Sequence, residues 1–191
     1  TVSATIATAT GGNFESLQIN PAAATTTVTD DVDATTVSLS ATASVAEGGS
    51  IVYTATLTNA ADTPVTVTLS TGQTITIAAG ATTGTVSIAA PGDDPYVDAG
   101  SVSRTISSAT GGNFESLVID AAAATTTVTD TIDVTTATLT ATPSVAEGGN
   151  IVYTATLTNP ADTAVTVTLS TGETSTIAAG ATTGTVSTAA P

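Results

Sequence analysis

One internal repeat governs what this chain can fold into. The run Gly11-Gly12-Asn13-Phe14-Glu15-Ser16-Leu17 returns from Gly111 to Leu117, and Ile51-Val52-Tyr53-Thr54-Ala55-Thr56-Leu57-Thr58 returns from Ile151 to Thr158. The period is therefore 100 residues in a chain of 191. About four in five of the first 91 positions are identical to their counterparts, and most differences are conservative, as in Ser38 against Thr138. Solenoid units run roughly 20–50 residues, so this longer period fits a whole sandwich domain with its own core. The phase of the repeat divides the chain into residues 1–33, the C-terminal strands of a truncated repeat; 34–133, a complete repeat; and 134–191, the N-terminal strands of another truncated repeat.

Within a unit, apolar residues alternate with threonine in the two-residue rhythm of half-buried strands. Ile51, Tyr53, Ala55 and Leu57 share one face; Val65, Val67 and Leu69 form a second row. Ile75 with Ile77, Val86 with Ile88, Val102 with Ile106, and Leu117 with Ile119 supply further inward pairs. Turn signals fall between them at Glu47-Gly48-Gly49, Asn59 to Pro64, Thr71-Gly72, Ala79-Gly80, Pro91-Gly92 and Gly111-Gly112-Asn113. Threonine is about a quarter of the chain, and its β-branching favours the pleated backbone. No segment shows a helical period. The expected fold is all-β: tandem immunoglobulin-like β-sandwich domains with about seven antiparallel strands each. The joints Asp30-Asp31-Val32-Asp33 and Asp130-Thr131-Ile132-Asp133 contain no Gly, Pro or Ser, so they read as fixed connections rather than flexible tethers.

Composition removes most functional classes. There is no His, Cys, Met or Trp, and the single cation, Arg104, faces sixteen acidic residues for a formal charge of −15. Imidazole bases, thiolate nucleophiles, disulfides and nitrogen or sulfur metal ligands are all missing, which argues against an enzyme. Without Lys/Arg clusters the surface repels phosphate backbones and anionic lipid, so neither nucleic acid nor membrane insertion is expected. Arg104 replaces the Ala4 of the neighbouring copy, in line with inward Val102 and Ile106. Its stem is expected along the sandwich edge, with the head reaching solvent or a carboxylate.

The acidic residues have a pattern. If strands alternate up and down, the turn with Glu47, the loop with Asp93, Asp94 and Asp98, and the chain leaving the last strand at Asp130 and Asp133 all reach one pole. Asp30 and Asp33 repeat Asp130 and Asp133 one unit earlier, and Glu147 repeats Glu47 one unit later. Asp162, in the next unit's turn, is expected to face that pole across the joint, whereas Glu115 and Asp120 read as solvated surface. Carboxylates held together without Lys or Arg repel, so a cation is expected among them. Calcium suits such a site, because it takes six to eight oxygens in irregular geometry.

The string Val45 to Thr58, the loop Gly92-Asp93-Asp94-Pro95-Tyr96-Val97-Asp98, the run Gly111-Gly112-Asn113-Phe114 and the closing Thr125 to Asp130 resemble the extender repeats of giant RTX-type adhesins of Gram-negative bacteria. The resemblance covers essentially the whole chain. It implies immunoglobulin-like domains in series, type I secretion, retention outside the cell at the bacterial surface, and a calcium-rigidified spacer that projects a distal adhesive region for attachment or biofilm formation. The Glu-Gly turn, the acidic loop and the terminal Asp pair are also similar to the Calx-β pattern, whose matching positions bind calcium. By that resemblance Glu47, Asp93, Asp94, Asp98, Asp130 and Asp133 are ligands, with Asp98 standing where Calx-β domains often have Glu. In the last unit Glu147 has no acidic loop opposite it.

Two further expectations follow from the residues. Segments 1–33 and 134–191 are complementary parts of one unit, so besides adjacent repeats of the same protein, head-to-tail self-association is an expected partnership. The rival function is a ligand-binding module whose threonine-rich strand faces, such as Thr66-Val67-Thr68, present ordered hydroxyls to ice or glycan.

Overall fold

A computed structural model describes all residues from Thr1 to Pro191. The chain is all-β, and the complete unit is a two-sheet sandwich. It contains β3 (Ala34–Ala41), β4 (Ser44–Ala46), β5 (Ser50–Leu57), β6 (Val65–Leu69), β7 (Thr74–Ile77), β8 (Thr83–Ala89), β9 (Gly100–Arg104), β10 (Ile106–Gly111), β11 (Ser116–Ile119) and β12 (Ala124–Thr129). One sheet runs β11-β3-β5-β8; the facing strands form β10-β6-β7 and β4-β12-β9. β9 and β10 are one run interrupted at Thr105, after which the register against β6 shifts between Ile106 and Ser108. That irregularity lets a single strand pair with β12 over its first half and with β6 over its second.

Two pairings are parallel, β11 with β3 and β12 with β4. They arise because the first strand changes sheets. β3 lies against β5, the backbone crosses at Thr42-Ala43, and β4 continues on the opposite sheet beside β12. The crossing is secured where the buried Thr126 hydroxyl donates to the Thr42 carbonyl at 2.7 Å and the Thr127 amide donates to Ala43 O at 3.0 Å. A buried hydroxyl needs such a partner, since leaving it bare would be costly.

The alternation read from sequence faces as expected. Ile51, Tyr53, Ala55 and Leu57 are buried along β5, Val65, Val67 and Leu69 along β6, and Ile75 and Ile77 along β7. Val86, Ile88, Val102, Leu117 and Ile119 are half-buried against this core, while Ile106 is fully within it. Thirteen buried apolar residues form the cluster. At about 1.5–3 kcal/mol per large side chain, burial on this scale offsets much of the entropy of ordering the backbone.

Arg104 behaves differently from expectation. Its guanidinium lies over the Tyr53 ring, 5.7 Å from the centroid, and donates to the Thr71 hydroxyl; no carboxylate meets it. Arg104 is half-buried on the same face of β9 as Val102, and there an aromatic face and a hydroxyl take the charge.

On either side the chain is less complete. Residues 1–33 contain only β1 (Val2–Ala4) and β2 (Ala24–Thr26), paired antiparallel with each other. Residues 134–191 hold β13 (Ala137–Ala141), β14 (Asn150–Leu157), β15 (Val165–Thr168), β16 (Thr174–Ile177) and β17 (Thr183–Ala189), in sheets β13-β14-β17 and β15-β16. Registers repeat those of the complete unit: Tyr153 opposes Val186 as Tyr53 opposes Val86. The buried cluster here is only Ala155, Leu157, Ala161 and Ile177.

Candidate metal centre

Three carboxylates from distant parts of the sequence meet at one end of the complete unit. Glu47 lies in the turn between β4 and β5, Asp98 in the loop before β9, and Asp130 directly after β12. One oxygen from each falls within 4.8 Å of the others. The backbone enforces the meeting. The Glu47 amide donates to Thr129 O at 3.0 Å and the Gly48 amide to Pro91 O at 2.7 Å, so the turn is stitched both to the end of β12 and to the start of the acidic loop. Gly48 sits at φ +67°, and a Cβ there would come within 3.3 Å of Asp93 Cβ. Glycine after Glu47 therefore serves both the left-handed turn and the close approach of the loop.

Glu47 is the most constrained member. It is only 7% exposed, and neither carboxylate oxygen has a hydrogen-bond partner; Asp130 Oδ1 is likewise enclosed and unpartnered. Burial, followed by the facing carboxylates of Asp130 and Asp98, pushes the Glu47 carboxyl up to about 7. The chain's single basic side chain is committed to Tyr53 and Thr71, so nothing basic offsets this charge. Beside the carboxylates is a cavity of about 170 Å³ lined by Glu47, Asp98, Gly100, Ser101, Val102 and Val128. The buried, unpartnered oxygens of Glu47 and Asp130, with the exposed Asp98 carboxylate beside them, are a donor set suited to a hard cation, and these three are the residues that could hold one.

The remaining candidates lie elsewhere. Asp93 accepts a hydrogen bond from the Thr131 hydroxyl, and Asp94 accepts one from the Tyr96 amide at 2.9 Å. Both shape the loop and its link to the joint, outside the three-carboxylate cluster. Asp133 is exposed beyond Thr131, and Asp30 and Asp33 are exposed in the first segment. Glu147 is exposed in the turn before β14. Glu115, read as solvated surface, is exposed but accepts the Asp33 amide at 2.7 Å, which ties the start of the complete unit to its β10–β11 connection. Asp120 is spent on a local bond from the Ala122 amide.

A family model, the LapA domain, matches residues 33–131 and again residues 133–191. The chain belongs to the LapA-domain family. LapA is a large adhesin of biofilm formation and surface attachment, which makes this chain a structural region of the surface-adhesin type. No curated protein matches the chain. No helix is long and apolar enough to cross a membrane.

The boundary between the two LapA matches falls beside the carboxylate cluster. Across it the Tyr96 hydroxyl donates to Pro160 O at 3.0 Å. Asp98 and Asp162 line the same cleft of about 530 Å³, together with Tyr96, Asn159 and Pro160. Sequence reasoning placed Asp162 there but gave Tyr96 no role. The available signal was an aromatic residue inside an acidic loop, off every alternating strand, in a chain with only five aromatics.

Proposed function

We propose that this LapA-domain chain is a calcium-stiffened extender of a cell-surface adhesin, and that the ion binds at the end of each complete unit where the next unit begins. The observation carrying this reading is the enclosed, unpartnered Glu47 carboxylate facing Asp98 and Asp130. Bound calcium would supply positive charge to three acidic groups that otherwise repel, and backbone carbonyls or water would complete its oxygen shell. The chain's own residues do the rest. Glu47 is fixed by its stitched turn, Asp130 by the end of β12, and Asp98 by the loop whose Tyr96 reaches the next unit. Ordering Asp98 would therefore order the same loop that touches Pro160, coupling the end of one unit to the start of the next. Type I secretion and an array of immunoglobulin-like domains belong to this reading through the resemblance to RTX-type extender repeats.

The rival reading of threonine faces for ice or glycan finds no support along the Thr125–Thr129 run, where Thr125 bonds Ser103 across strands at 3.0 Å and the Thr126 and Thr129 hydroxyls donate to the Thr42 and Val45 carbonyls at 2.7 and 3.3 Å.

Differential scanning calorimetry of the 191-residue chain tests the proposal. A ligand present at a hundred times its dissociation constant stabilises by about 2.7 kcal/mol, which for a unit of this size raises Tm by roughly 10–20 °C. Calcium should produce a rise of that order over the chelated protein. An unchanged Tm at millimolar calcium would contradict it.

A further inference from the structure

Where the chain enters the complete unit and where it leaves, its strands lie side by side and run the same way. It enters at Ala34 along β3, crosses at Thr42-Ala43 into β4, and leaves from β12 at Asp130. β4 pairs parallel with β12, with Ser44 beside Thr127, Val45 beside Val128 and Ala46 beside Thr129. Tension on a chain threaded in this way draws β4 toward its own N-terminus and β12 toward its C-terminus. The two strands are loaded lengthwise in opposite directions, while the hydrogen bonds between them run across. Such a pair yields by sliding, which strains all of its bonds together, whereas strands peeled apart from one end lose their bonds singly.

This short pair is densely bonded. On the backbone, the Thr127 amide donates to Ala43 O and the Glu47 amide to Thr129 O, each at 3.0 Å. Side chains on both faces of β12 add to them: the Thr126 hydroxyl donates to Thr42 O at 2.7 Å and the Thr129 hydroxyl to Val45 O at 3.3 Å. Thr126 and Val128 are 0% and 3% exposed, and Val45 packs against the core, so on the inner face water cannot readily replace a bond as it breaks. Neither strand is loose on its other side. β9 holds β12 from Ala124 beside Arg104 to Val128 beside Gly100. The turn after β4 is pinned to the end of β8, where the Gly48 amide donates to Pro91 O at 2.7 Å and the Ala90 amide to Gly49 O at 2.9 Å. β3 also has a parallel neighbour in β11, but β11 is an internal strand, so load passing through it still has to leave by β12.

We propose that β4 and β12 form a load-bearing clamp, which must break as a block before the complete unit unfolds under tension. The clamp gives a structural region of the surface-adhesin type resistance to pull along its length, and it needs no bound ion. Its strength lies in the direction of loading, which is set by the sheet change at Thr42-Ala43 that brings β4 beside β12.

Optical-tweezers unfolding of the full chain, with chelator present, tests this by varying the direction of pull. The native chain has no cysteine, so handles can be attached at chosen positions. Handles on Thr1→Cys and Pro191→Cys shear β4 against β12. Handles on Ser50→Cys and Ile132→Cys, both exposed and both at the acidic end of the unit, peel the two strands apart instead. End-to-end unfolding of the unit is recognised by a lengthening of about 30 nm, at roughly 3.5 Å per residue. At one loading rate the end-to-end geometry should resist at least about twofold more force than the peeling geometry. Held end to end at constant load, Thr126→Val should unfold about tenfold faster than the parent, having lost one buried hydrogen bond of the clamp. Val67→Ala, a truncation in the core on a strand paired with neither β4 nor β12, should lower the chemical-denaturation midpoint at least as much yet speed end-to-end unfolding less. Equal forces in the two geometries, or Thr126→Val no faster to yield than Val67→Ala, would overturn the clamp. The comparison of geometries leaves the clamp's own residues intact, and in chelator neither outcome bears on whether Glu47 binds calcium.

Discussion

Glu47 links stability to protons and, in the proposed site, to calcium. Its folded pKa, about 7, lies above the ordinary 4.5, so the folded state holds the proton more tightly than the unfolded state. Below the ordinary value both states are protonated and the contribution is fully present; as pH rises from about 4.5 through about 7 it is lost. Chelated protein should therefore lose Tm across that window and level off above it. Calcium should remove the decline by taking the ionised form, with affinity falling as protons compete below pH 7. Thermal melts at several pH values, with and without calcium, check the sign; a chelated Tm that climbs through the window would contradict it. Glu47→Gln separates repulsion from binding. Its amide keeps the shape and can donate to Asp98 or Asp130, so above pH 7 the chelated variant should melt no lower than the parent. In calcium it should fall short by most of the roughly 10–20 °C rise expected of the parent chain. Of this site, the residue types and the shared pole were legible in sequence. The selection was not, because whether Asp93 and Asp94 face the cluster or bond to Thr131 and Tyr96 depends on local loop bonds that spacing does not encode.

Among the elements, the β10–β11 connection shows how closely the repeat's invariant-looking strings are tied to backbone geometry. Gly111, Gly112 and Asn113 all have positive φ, at 98°, 84° and 56°. A Cβ on Gly111 would lie 2.2 Å from Pro64 O. Gly111→Ala therefore meets an unfavourable backbone region and a rigid carbonyl together, and it should cost the complete unit about 3 kcal/mol. Gly11 has the same conformation, at φ +94°, with nothing within 4 Å of its Cβ position. Gly11→Ala should consequently leave the main unfolding transition in place, and chemical denaturation of the two variants measures the difference. Strand positions were readable because alternation of Ile51, Tyr53, Ala55 and Leu57 with threonine reports one buried face. The parallel placements of β4 and β11 were not, because a strand that changes sheets keeps the same alternation while changing its partners.

For the molecule as a whole, the 100-residue period gives the length of a unit and the place where units meet, and the boundary between the two LapA matches falls there. The joint itself depends on the Tyr96–Pro160 bond and on the cleft shared by Asp98 and Asp162, contacts between units that no pattern within one unit reveals. In the proposed function, a cation held by Glu47, Asp98 and Asp130 stiffens this joint. The native chain has no cysteine, so spin labels can be placed cleanly on Ser87→Cys in one unit and Ser187→Cys in the next, both exposed strand positions. Pulsed electron–electron resonance then reads the distribution of distances across the joint. Calcium should collapse a broad distribution to a narrow one, and Glu47→Gln should keep it broad at the same calcium concentration. An equally broad distribution with and without calcium in the parent chain would contradict the claim.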